Sequence, residues 1–459
     1  MSRPRKLFGT DGIRGRANLY PMTGEIMLEL GRAVAMAFQL SPREAGERRV
    51  LIGKDTRRSG YMLEDALAAG LASMGVHVLQ VGPMSTPGLA FLTTDMRCEA
   101  GAMISASHNA FEDNGVKFFS RDGFKLPDEM EAKIEALMYS DELKAQRPVG
   151  AEVGRAHRID DASGRYIVFL KKTFPKELSL EGLRIVVDCA HGAAYKVAPT
   201  VLEELGAQVV PIAASPNGTN INEGCGALHP QFVAQAVRRH RADLGVALDG
   251  DADRVIFSDE NGEIVNGDRV LAMCALDLQR SGTLARETVV GTIMCNLGLE
   301  LALKRAGIQL LRTDVGDRYV VEAMRREQLN LGGEPSGHVI FLDHNTTGDG
   351  MLTALQVLAM MRRSERPLSS LAAVMEPVPQ VLRAVTVREK PPLEELSGVQ
   401  AALQRIQRDL RGRGRINVRY SGTEPVVRVM IEGEDRARIE ELARDICAEI
   451  AKVIGEEGT

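Results

Sequence analysis

The sequence has no tryptophan, and aromatic residues make up only 4% of its 459 residues. Few side chains are therefore available to stack on nucleic-acid bases. The 57 basic and 62 acidic residues give a net charge of −5, which argues against a surface built mainly for nucleic acid or anionic lipid. These features predict a protein that binds neither nucleic acid nor membrane.

The chain also lacks an apolar run of the roughly 18 residues that a membrane-spanning helix needs. The amino-terminal stretch MSRPRKLFGTDGIRG has basic residues with no apolar stretch behind them, so we expect no signal peptide. The 6 cysteines are scattered without a CxxC pair, which predicts neither a zinc site nor a disulfide framework. We therefore expect a cytoplasmic protein with three or four domains, at about 150 residues per domain.

A strand–helix–strand pattern occurs three times along the chain. In each repeat a helical stretch ends at a glycine, Gly75, Gly206 or Gly307, and passes into a β-branched run. Glycine stops a helix because it adopts the left-handed conformation, and β-branched residues suit a buried strand. The pattern predicts three repeated α/β domains with mixed, largely parallel sheets.

The carboxyl-terminal part follows a different pattern. Residues 378–389 and 414–435 alternate in polarity like strands, and residues 436–455 place apolar side chains at helical spacing. This pattern predicts a fourth domain of the α+β class. The expected domains are residues 1–157, 158–258, 259–374 and 375–459.

Each repeat also reaches a strand-like run that ends in a polar loop. The loops are SASHN at 105–109, DGDADR at 249–254 and GEPSGH at 333–338. Open α/β sheets bind ligands beyond the carboxyl ends of their strands, so we expect the three loops to serve one cleft. Ordinary surface turns are the alternative, but they rarely carry this density of Ser, Asp, His and Gly at matched places.

Three aspartates alternate in the second loop. In an extended chain Asp249, Asp251 and Asp253 would point the same way, and their carboxylates would repel each other without a cation. Oxygen ligands without His or Cys favour Mg²⁺, with positions left for a phosphate. An acidic turn and an EF-hand are the alternatives; Glu260 stands at the twelfth EF-hand position, but Arg254 occupies the sixth, where that loop needs glycine.

The first loop offers a nucleophile. Ser105 or Ser107 could attack, with His108 alongside, although adjacent residues on a strand point apart and need not form a base–nucleophile pair. Lys117 follows closely and could neutralise a phosphate or move a proton. A hydrogen-bonded turn is the alternative for this loop.

Two further stretches suit a sugar and a phosphate. Glu334, Ser336 and His338 could bind sugar hydroxyls, with a capped β-turn as the alternative. The stretch RYSGTEPVVR combines guanidinium groups, hydroxyls and loop N–H groups that suit a phosphate. Its candidate residues are Arg419, Ser421, Gly422, Thr423 and Arg428. Arg14, among glycines near the amino terminus, adds another positive charge. Together the loops predict phosphoryl transfer on a phosphosugar.

The sequence resembles the α-D-phosphohexomutases over essentially its whole length. The four family motifs SASHN, DGDADR, GEPSGH and RYSGTEPVVR are present in order. Three features are similar to the bacterial branch that acts on glucosamine phosphates, namely the stretch 6–15, Pro335 and the stretch 164–175. The resemblance implies four domains around a central cleft, the fourth being TATA-binding-protein-like.

The resemblance also implies roles for the candidate residues. Ser107 would carry the phosphoryl group, and Mg²⁺ would be held by Asp249, Asp251, Asp253 and the phosphate on Ser107. The remaining implied roles are Arg254 and Lys117 beside the transferring phosphate, Glu334 and Ser336 on sugar hydroxyls, His338 as general acid or base, and Arg419, Ser421, Gly422, Thr423 and Arg428 on the non-reacting phosphate.

The implied reaction interconverts glucosamine 6-phosphate and glucosamine 1-phosphate and supplies UDP-N-acetylglucosamine synthesis. Glucosamine 1,6-bisphosphate, or glucose 1,6-bisphosphate, would be the intermediate or activator, and the enzyme would be a monomer or a homodimer. A mutase for mannose or glucose phosphates, a phosphatase with water as acceptor, and a non-catalytic phosphosugar sensor are the alternatives.

One residue departs from the family pattern. Ala110 follows Asn109 where the family usually has proline. Because proline restricts the unfolded chain and fixes φ, its loss should loosen the turn.

Overall fold

The computed structural model describes residues 7–9, 11–39, 48–145, 147–410, 412–421 and 425–455. Four sheets of 6, 5, 4 and 3 strands follow one another along the chain, as the three α/β repeats and the α+β tail predict. The chain forms two compact units, residues 1–292 with 311–373 and residues 293–310 with 374–459. No helix in the described ranges is both long and apolar enough to cross a bilayer.

The first sheet has the strand order β1-β5-β4-β2-β3-β6. Its strands are β1 (Ile13–Arg16), β2 (Arg49–Lys54), β3 (His77–Pro83), β4 (Ala100–Ile104), β5 (Asp113–Ser120) and β6 (Ala156–Arg158). The helices of this part are α1 (Gly24–Gln39), α2 (Ser59–Ala72), α3 (Thr86–Asp95), α4 (Asp128–Met138) and α5 (Glu142–Ala145). β2, β3, β4 and β6 run parallel, and β1 and β5 run antiparallel to their neighbours.

The second sheet has the order β11-β10-β9-β7-β8. Its strands are β7 (Arg184–Asp188), β8 (Gln208–Ile212), β9 (Leu244–Leu248), β10 (Val255–Asp259) and β11 (Ile264–Val265). The helices are α6 (Ala162–Thr173), α7 (Val197–Glu204) and α8 (Pro230–His240). β9 pairs in parallel with β7 and antiparallel with β10, so the sheet is mixed like the first.

The third sheet has the order β13-β12-β14-β15. Its strands are β12 (Thr288–Thr292), β13 (Gln309–Thr313), β14 (Leu331–Gly333) and β15 (Val339–Phe341). The helices of this stretch are α9 (Gly267–Arg280), α10 (Leu297–Arg305), α11 (Asp317–Glu327), α12 (Gly350–Ser364) and α13 (Leu368–Ala372). The three repeats thus share one design: a parallel strand leads through a polar loop into an antiparallel neighbour.

The fourth sheet is antiparallel and belongs to the second unit. It has the order β16-β18-β17, with β16 (Gln380–Thr386), β17 (Gly414–Tyr420) and β18 (Val426–Gly433). Helices α14 (Ser397–Leu410) and α15 (Arg436–Ile454) bury their apolar sides in one core with this sheet, through Val399, Ile406, Ile439 and Ile446. One face of the sheet is therefore apolar and packed, and the other is left for polar side chains.

The glycines at the repeat junctions explain where the helices end. Gly75, Gly206 and Gly307 have positive φ values of 80°, 101° and 75°. Only glycine adopts this conformation without a steric penalty, so the chain leaves the helix there and enters the next strand. The helix–glycine–strand pattern read from the sequence is thus present in all three repeats.

Two other glycines let α1 and α2 approach closely. A Cβ on Gly70 would lie 2.2 Å from the carbonyl oxygen of Leu28, and one on Gly31 would lie 2.5 Å from that of Leu67. We expect Gly70→Ala to destabilise the protein by about 1–3 kcal/mol, the usual cost of overpacking. Gly24→Ala is the matched control, because its Cβ would meet only Ala66, at 3.9 Å. Equal thermal unfolding midpoints for the two variants would contradict the packing argument.

Candidate active site

The three polar loops occupy the same place in their sheets. They follow the strands β4, β9 and β14, and each leads into the antiparallel partner of that strand, β5, β10 or β15. The chain reverses at these points, so the loops lie at the carboxyl ends of parallel strands. α/β sheets bind their ligands at such ends.

Ser107 lies in the loop after β4, with its backbone in the left-handed region at φ 49°. Its Oγ donates to Oδ2 of Asp249 at 2.7 Å, and Nδ1 of His108 lies 3.3 Å from the same Oγ. Neighbouring side chains point apart in a strand, but this turn is not a strand, so both can meet. Ser105, the other candidate nucleophile, donates its Oγ proton to Asp55 at 2.5 Å.

Asp249, Asp251 and Asp253 are buried, and each offers a carboxylate oxygen within 4.8 Å of the others. The cluster predicted from the sequence is present, but the expected extended conformation is not. The backbone N–H of Ala252 donates to the carbonyl of Asp249 at 3.0 Å, and Ala252 has φ 56°. A turn therefore gathers the three side chains. The strand β10 follows immediately at Val255, which excludes an EF-hand loop.

The carboxylates of this cluster need a positive partner. Burial, and then the charges of Asp253 and Asp251, raise the pKa of Asp249 well above its usual range. Oδ1 of Asp251 and Oδ1 of Asp253 are buried and accept no hydrogen bond from the described residues. Buried oxygens without donors are costly, and hard oxygen ligands suit a divalent cation such as Mg²⁺. The residues fit the predicted metal.

Two cations lie beside the triad. Nζ of Lys117 is 3.4 Å from Asp251, 3.8 Å from Asp253 and 3.1 Å from Asp11. Burial opposes the ammonium charge, but these carboxylates raise the pKa of Lys117, which keeps its proton at neutral pH. Nε of Arg254 lies 3.9 Å from Oδ1 of Asp253, and the aspartates likewise raise the pKa of Arg254.

Arg14 connects to the same group of charges through Asp11. It forms an ion pair with Asp11, which also contacts Lys117 and Lys125. Burial would raise the pKa of Asp11, but the three cations hold it well below its usual range. Lys125 in turn lies 2.6 Å from Asp317. Opposite charges thus alternate from Arg14 to the triad.

The third loop is a hydrogen-bonded turn that carries polar side chains. The N–H of Gly337 donates to the carbonyl of Glu334 at 3.1 Å, and the N–H of Glu334 donates to that of His338 at 2.9 Å. Oε1 of Glu334 accepts from the N–H of Gly316 at 3.2 Å, and Ser336 Oγ lies 3.5 Å from Oε2. The turn expected as an alternative therefore exists, and it presents both candidate sugar ligands.

His338 reaches back to the aspartate triad. Its Nδ1 lies 3.7 Å from Asp253 and its Nε2 lies 3.6 Å from Asp317. Burial opposes the charged ring, but Asp253 and Asp317 raise the pKa of His338. Nε2 also lies 3.2 Å from the backbone N of Gly348, which helps to fix the orientation of the ring. The structure thus joins the third loop to the second.

The phosphate-site candidates lie in the second unit. Arg419 on β17 stands directly opposite Arg428 on β18, and both line a cavity of about 400 Å³ on the open face of the sheet. Like charges directly opposite each other destabilise a strand pair, so this arrangement favours a bound anion. Ser421 is buried and donates its N–H to Val426 at 2.9 Å. Gly422 and Thr423 lie outside the described residues.

The sequence did not identify the residues that support the Asp251 carboxylate and the Ser107 loop. Thr86 donates its N–H to the carbonyl of Asp251 at 2.9 Å and its Oγ1 proton to Oδ2 of the same residue at 2.6 Å. Arg57 and Asn222 donate to backbone carbonyls of the Ser107 loop. The one sequence signal for Arg57 was the stretch RRSG at 57–60, in which two arginines precede a serine. Sequence alone cannot distinguish a buried guanidinium from a solvated one.

Models of known families match the chain in four successive parts. They describe phosphoglucomutase/phosphomannomutase alpha/beta/alpha domains I, II and III, over residues 5–145, 164–262 and 266–378, and the C-terminal domain, over 382–449. A phosphoglucosamine mutase of Geobacter metallireducens is 60% identical over 98% of this chain and 99% of its own length. The chain belongs to the phosphoglucomutase/phosphomannomutase family.

A second curated relative is similar over the whole chain, and two solved structures share the fold. A phosphoglucosamine mutase of Myxococcus xanthus is 57% identical over 98% of each chain. A solved family protein from Burkholderia thailandensis superposes with a TM-score of 0.80 at 23% identity, covering 97% of each chain. Aspergillus fumigatus N-acetylphosphoglucosamine mutase, solved with GlcNAc-6P and magnesium, superposes with a TM-score of 0.66 at 20% identity, over 98% of this chain and 96% of its own. The family resemblance inferred from the motifs is confirmed.

The family's usual proline can be restored as a test of the Ser107 turn. The carbonyl of Ala110 accepts from the N–H of Asp113 at 3.2 Å, and Ala110 is exposed. We expect Ala110→Pro to stabilise the protein by about 0.4–1 kcal/mol, because proline limits the unfolded chain and suits a turn. A lower thermal unfolding midpoint than wild type would show that this turn needs a backbone that proline cannot adopt.

Proposed function

We propose that this family member interconverts glucosamine 6-phosphate and glucosamine 1-phosphate through a phosphoserine at Ser107. The observation that carries the proposal is the hydrogen bond of 2.7 Å from Ser107 Oγ to Asp249, inside a buried acidic triad. The relatives named phosphoglucosamine mutase, 57–60% identical over nearly the whole chain, support the choice of an amino sugar. The reaction supplies the glucosamine 1-phosphate from which UDP-N-acetylglucosamine is made.

The proposed chemistry consists of two phosphoryl transfers. In the first, the bond from phosphorus to Ser107 Oγ breaks and a bond forms to the 1-hydroxyl oxygen of glucosamine 6-phosphate. The sugar hydroxyl proton passes to a base, and Ser107 Oγ, the leaving group, takes up a proton to become a hydroxyl. The resulting 1,6-bisphosphate turns around, and its 6-phosphoryl group returns to Ser107, leaving glucosamine 1-phosphate. Catalysis of this kind depends mainly on positioning and charge neutralisation.

His108 is the base that we assign to the sugar hydroxyl. Its Nδ1 lies 3.3 Å from Ser107 Oγ, and burial, followed by the charges of Arg254 and Arg14, lowers the pKa of His108 to about 4, so the ring is neutral near pH 7. Lys117 keeps its proton and would neutralise the transferring phosphate together with Arg254. We assign His338 to proton transfer in the second phosphoryl transfer, since Asp253, 3.7 Å from its Nδ1, orients the ring.

Mg²⁺ would be held by Asp249, Asp251, Asp253 and a phosphate oxygen on Ser107. A bound Mg²⁺ neutralises charge on the phosphoryl group and orients it. The two buried Oδ1 atoms without donors, on Asp251 and Asp253, support this assignment. Thr86 would keep the Asp251 carboxylate in place through its hydrogen bond of 2.6 Å.

The rest of the substrate would be held by the other two loops. We assign Glu334 and Ser336 to the sugar hydroxyls, and Arg14 to the positive surroundings of the substrate. The non-reacting phosphate would be held by Arg419, Ser421, Gly422, Thr423 and Arg428. The opposed arginines and the adjoining cavity support this last assignment.

The remaining expectations are part of the same proposal. We propose that glucosamine 1,6-bisphosphate or glucose 1,6-bisphosphate acts as intermediate or activator, and that the chain binds a phosphosugar substrate and neither nucleic acid nor membrane. We also propose a cytoplasmic monomer or homodimer, with domains at residues 1–157, 158–258, 259–374 and 375–459.

Replacement of the nucleophile tests the proposed function. Wild-type protein should convert glucosamine 6-phosphate to glucosamine 1-phosphate and show an added phosphate at Ser107 in its intact mass. Ser107→Ala should lose both while remaining folded, because no other described hydroxyl donates to Asp249. Ser105→Ala is the comparison, and it should keep the added phosphate. Release of inorganic phosphate, or a higher kcat/KM for glucose 1-phosphate than for glucosamine 1-phosphate, would contradict the assignment.

Replacement of one triad aspartate tests the metal site. Wild-type protein should gain thermal stability on addition of Mg²⁺ and lose it with a chelator, because the cation offsets the repulsion between buried carboxylates. In Asp251→Asn we expect a raised melting temperature without Mg²⁺, a much smaller response to Mg²⁺ and little mutase activity. Asp243→Asn, outside the triad, is the control. A full Mg²⁺ response in Asp251→Asn would contradict the assigned ligands.

A further inference from the structure

Two side chains from distant loops of the chain donate to the same two backbone carbonyls of the Ser107 loop. Nη2 of Arg57 lies 3.1 Å from the carbonyl oxygen of Ser107 and 2.6 Å from that of Asn109. Nδ2 of Asn222 lies 2.9 Å and 3.0 Å from the same oxygens. Four hydrogen bonds therefore converge on the residue with the candidate nucleophile and on the residue two positions later.

Arg57 is anchored so that its guanidinium has little freedom. It is completely buried and forms an ion pair with Asp55, which is also completely buried. Asp55 accepts from Ser105 Oγ at 2.5 Å, and Ser105 Oγ accepts from the N–H of Ser107 at 2.9 Å. The amide and the carbonyl of Ser107 are thus both held by one network that begins at Asp55.

Asn222 belongs to the part of the chain that carries the aspartate triad. It follows β8, has φ 61° and donates its own N–H to the carbonyl of Ala190 at 2.9 Å. A Cβ on Gly250, inside the triad loop, would lie only 2.6 Å from the carbonyl oxygen of Ser107. The triad loop and the Ser107 loop therefore touch at the carbonyl that Arg57 and Asn222 hold.

We propose that Arg57 and Asn222 are positioning residues that keep Ser107 in its left-handed conformation with Oγ at Asp249. The inference rests on the proposed function, since it concerns how the phosphoryl carrier is aimed. Left-handed backbone is unfavourable for serine, so it persists only when surrounding contacts enforce it. Arg57 enforces it from the loop between β2 and α2, and Asn222 fixes the same carbonyls relative to the triad.

Asn222→Gly is the sharpest test, because glycine keeps the left-handed backbone and removes only the amide. We expect kcat for mutase turnover to fall by about 10- to 100-fold with KM changed less than about twofold, since Ser107 is misplaced while substrate contacts remain. Glu223→Gly, at the exposed neighbouring position, is the matched control and should keep wild-type kcat. Both variants should unfold at nearly the wild-type temperature.

Two further variants separate positioning from stability. Asn222→Asp keeps the size of the side chain but turns oxygen toward two carbonyl oxygens, and its kcat should be no higher than that of Asn222→Gly. Arg57→Lys keeps a charge for Asp55 and loses the forked donor, so its kcat should also fall. Phosphorylation of the dephosphorylated protein by glucose 1,6-bisphosphate, followed by intact mass, should slow in the same variants and not in Glu223→Gly.

Three results would overturn the inference. They are wild-type kcat in a folded Asn222→Gly protein, a loss confined to KM, and an equal loss of kcat in Glu223→Gly. Absence of mutase turnover in the wild-type protein would contradict the proposed function instead. In that event the phosphorylation rate of Ser107 by the bisphosphate still tests the two positioning residues.

Discussion

The structure depends on the concentration of negative charge in one short turn. Asp249, Asp251 and Asp253 are buried, with carboxylate oxygens within 4.8 Å of one another. Such a group is unstable unless positive charge and hydrogen-bond donors surround it. Much of what surrounds the turn can be understood as this compensation.

The compensation comes from elements far apart in sequence. Lys117 lies on β5, Thr86 is the first residue of α3, and His338 immediately precedes β15. Lys117 lies within β5, whereas Thr86 and His338 lie beside the ends of β3 and β15, and the repeated strand–loop–antiparallel strand design brings these residues together. Lys117 keeps its proton because the carboxylates outweigh its burial. The same fields that stabilise the turn would therefore act on a transferring phosphate.

The second unit brings together positive rather than negative side chains. Arg419 and Arg428 face each other across β17 and β18 on the open side of a sheet whose other side is packed by helices. Two guanidinium groups so placed favour an anion, whereas the acidic triad favours a cation. The register of the strand pair decides that the two arginines meet, and a shift by one residue would separate them.

The sequence by itself determined the repeated α/β pattern, the α+β tail and the four loops, because glycine conformations, apolar periodicity and motif spacing are local properties. It also determined that Asp249, Asp251 and Asp253 form a cluster, although the expected extended chain was wrong and a turn at Ala252 gathers them. Only the tertiary structure decided that Ser107, not Ser105, reaches Asp249, and that Arg57 and Asn222 hold its carbonyl. Those contacts join residues 50 to 142 positions apart, and no local pattern specifies which distant side chains a fold will bring together.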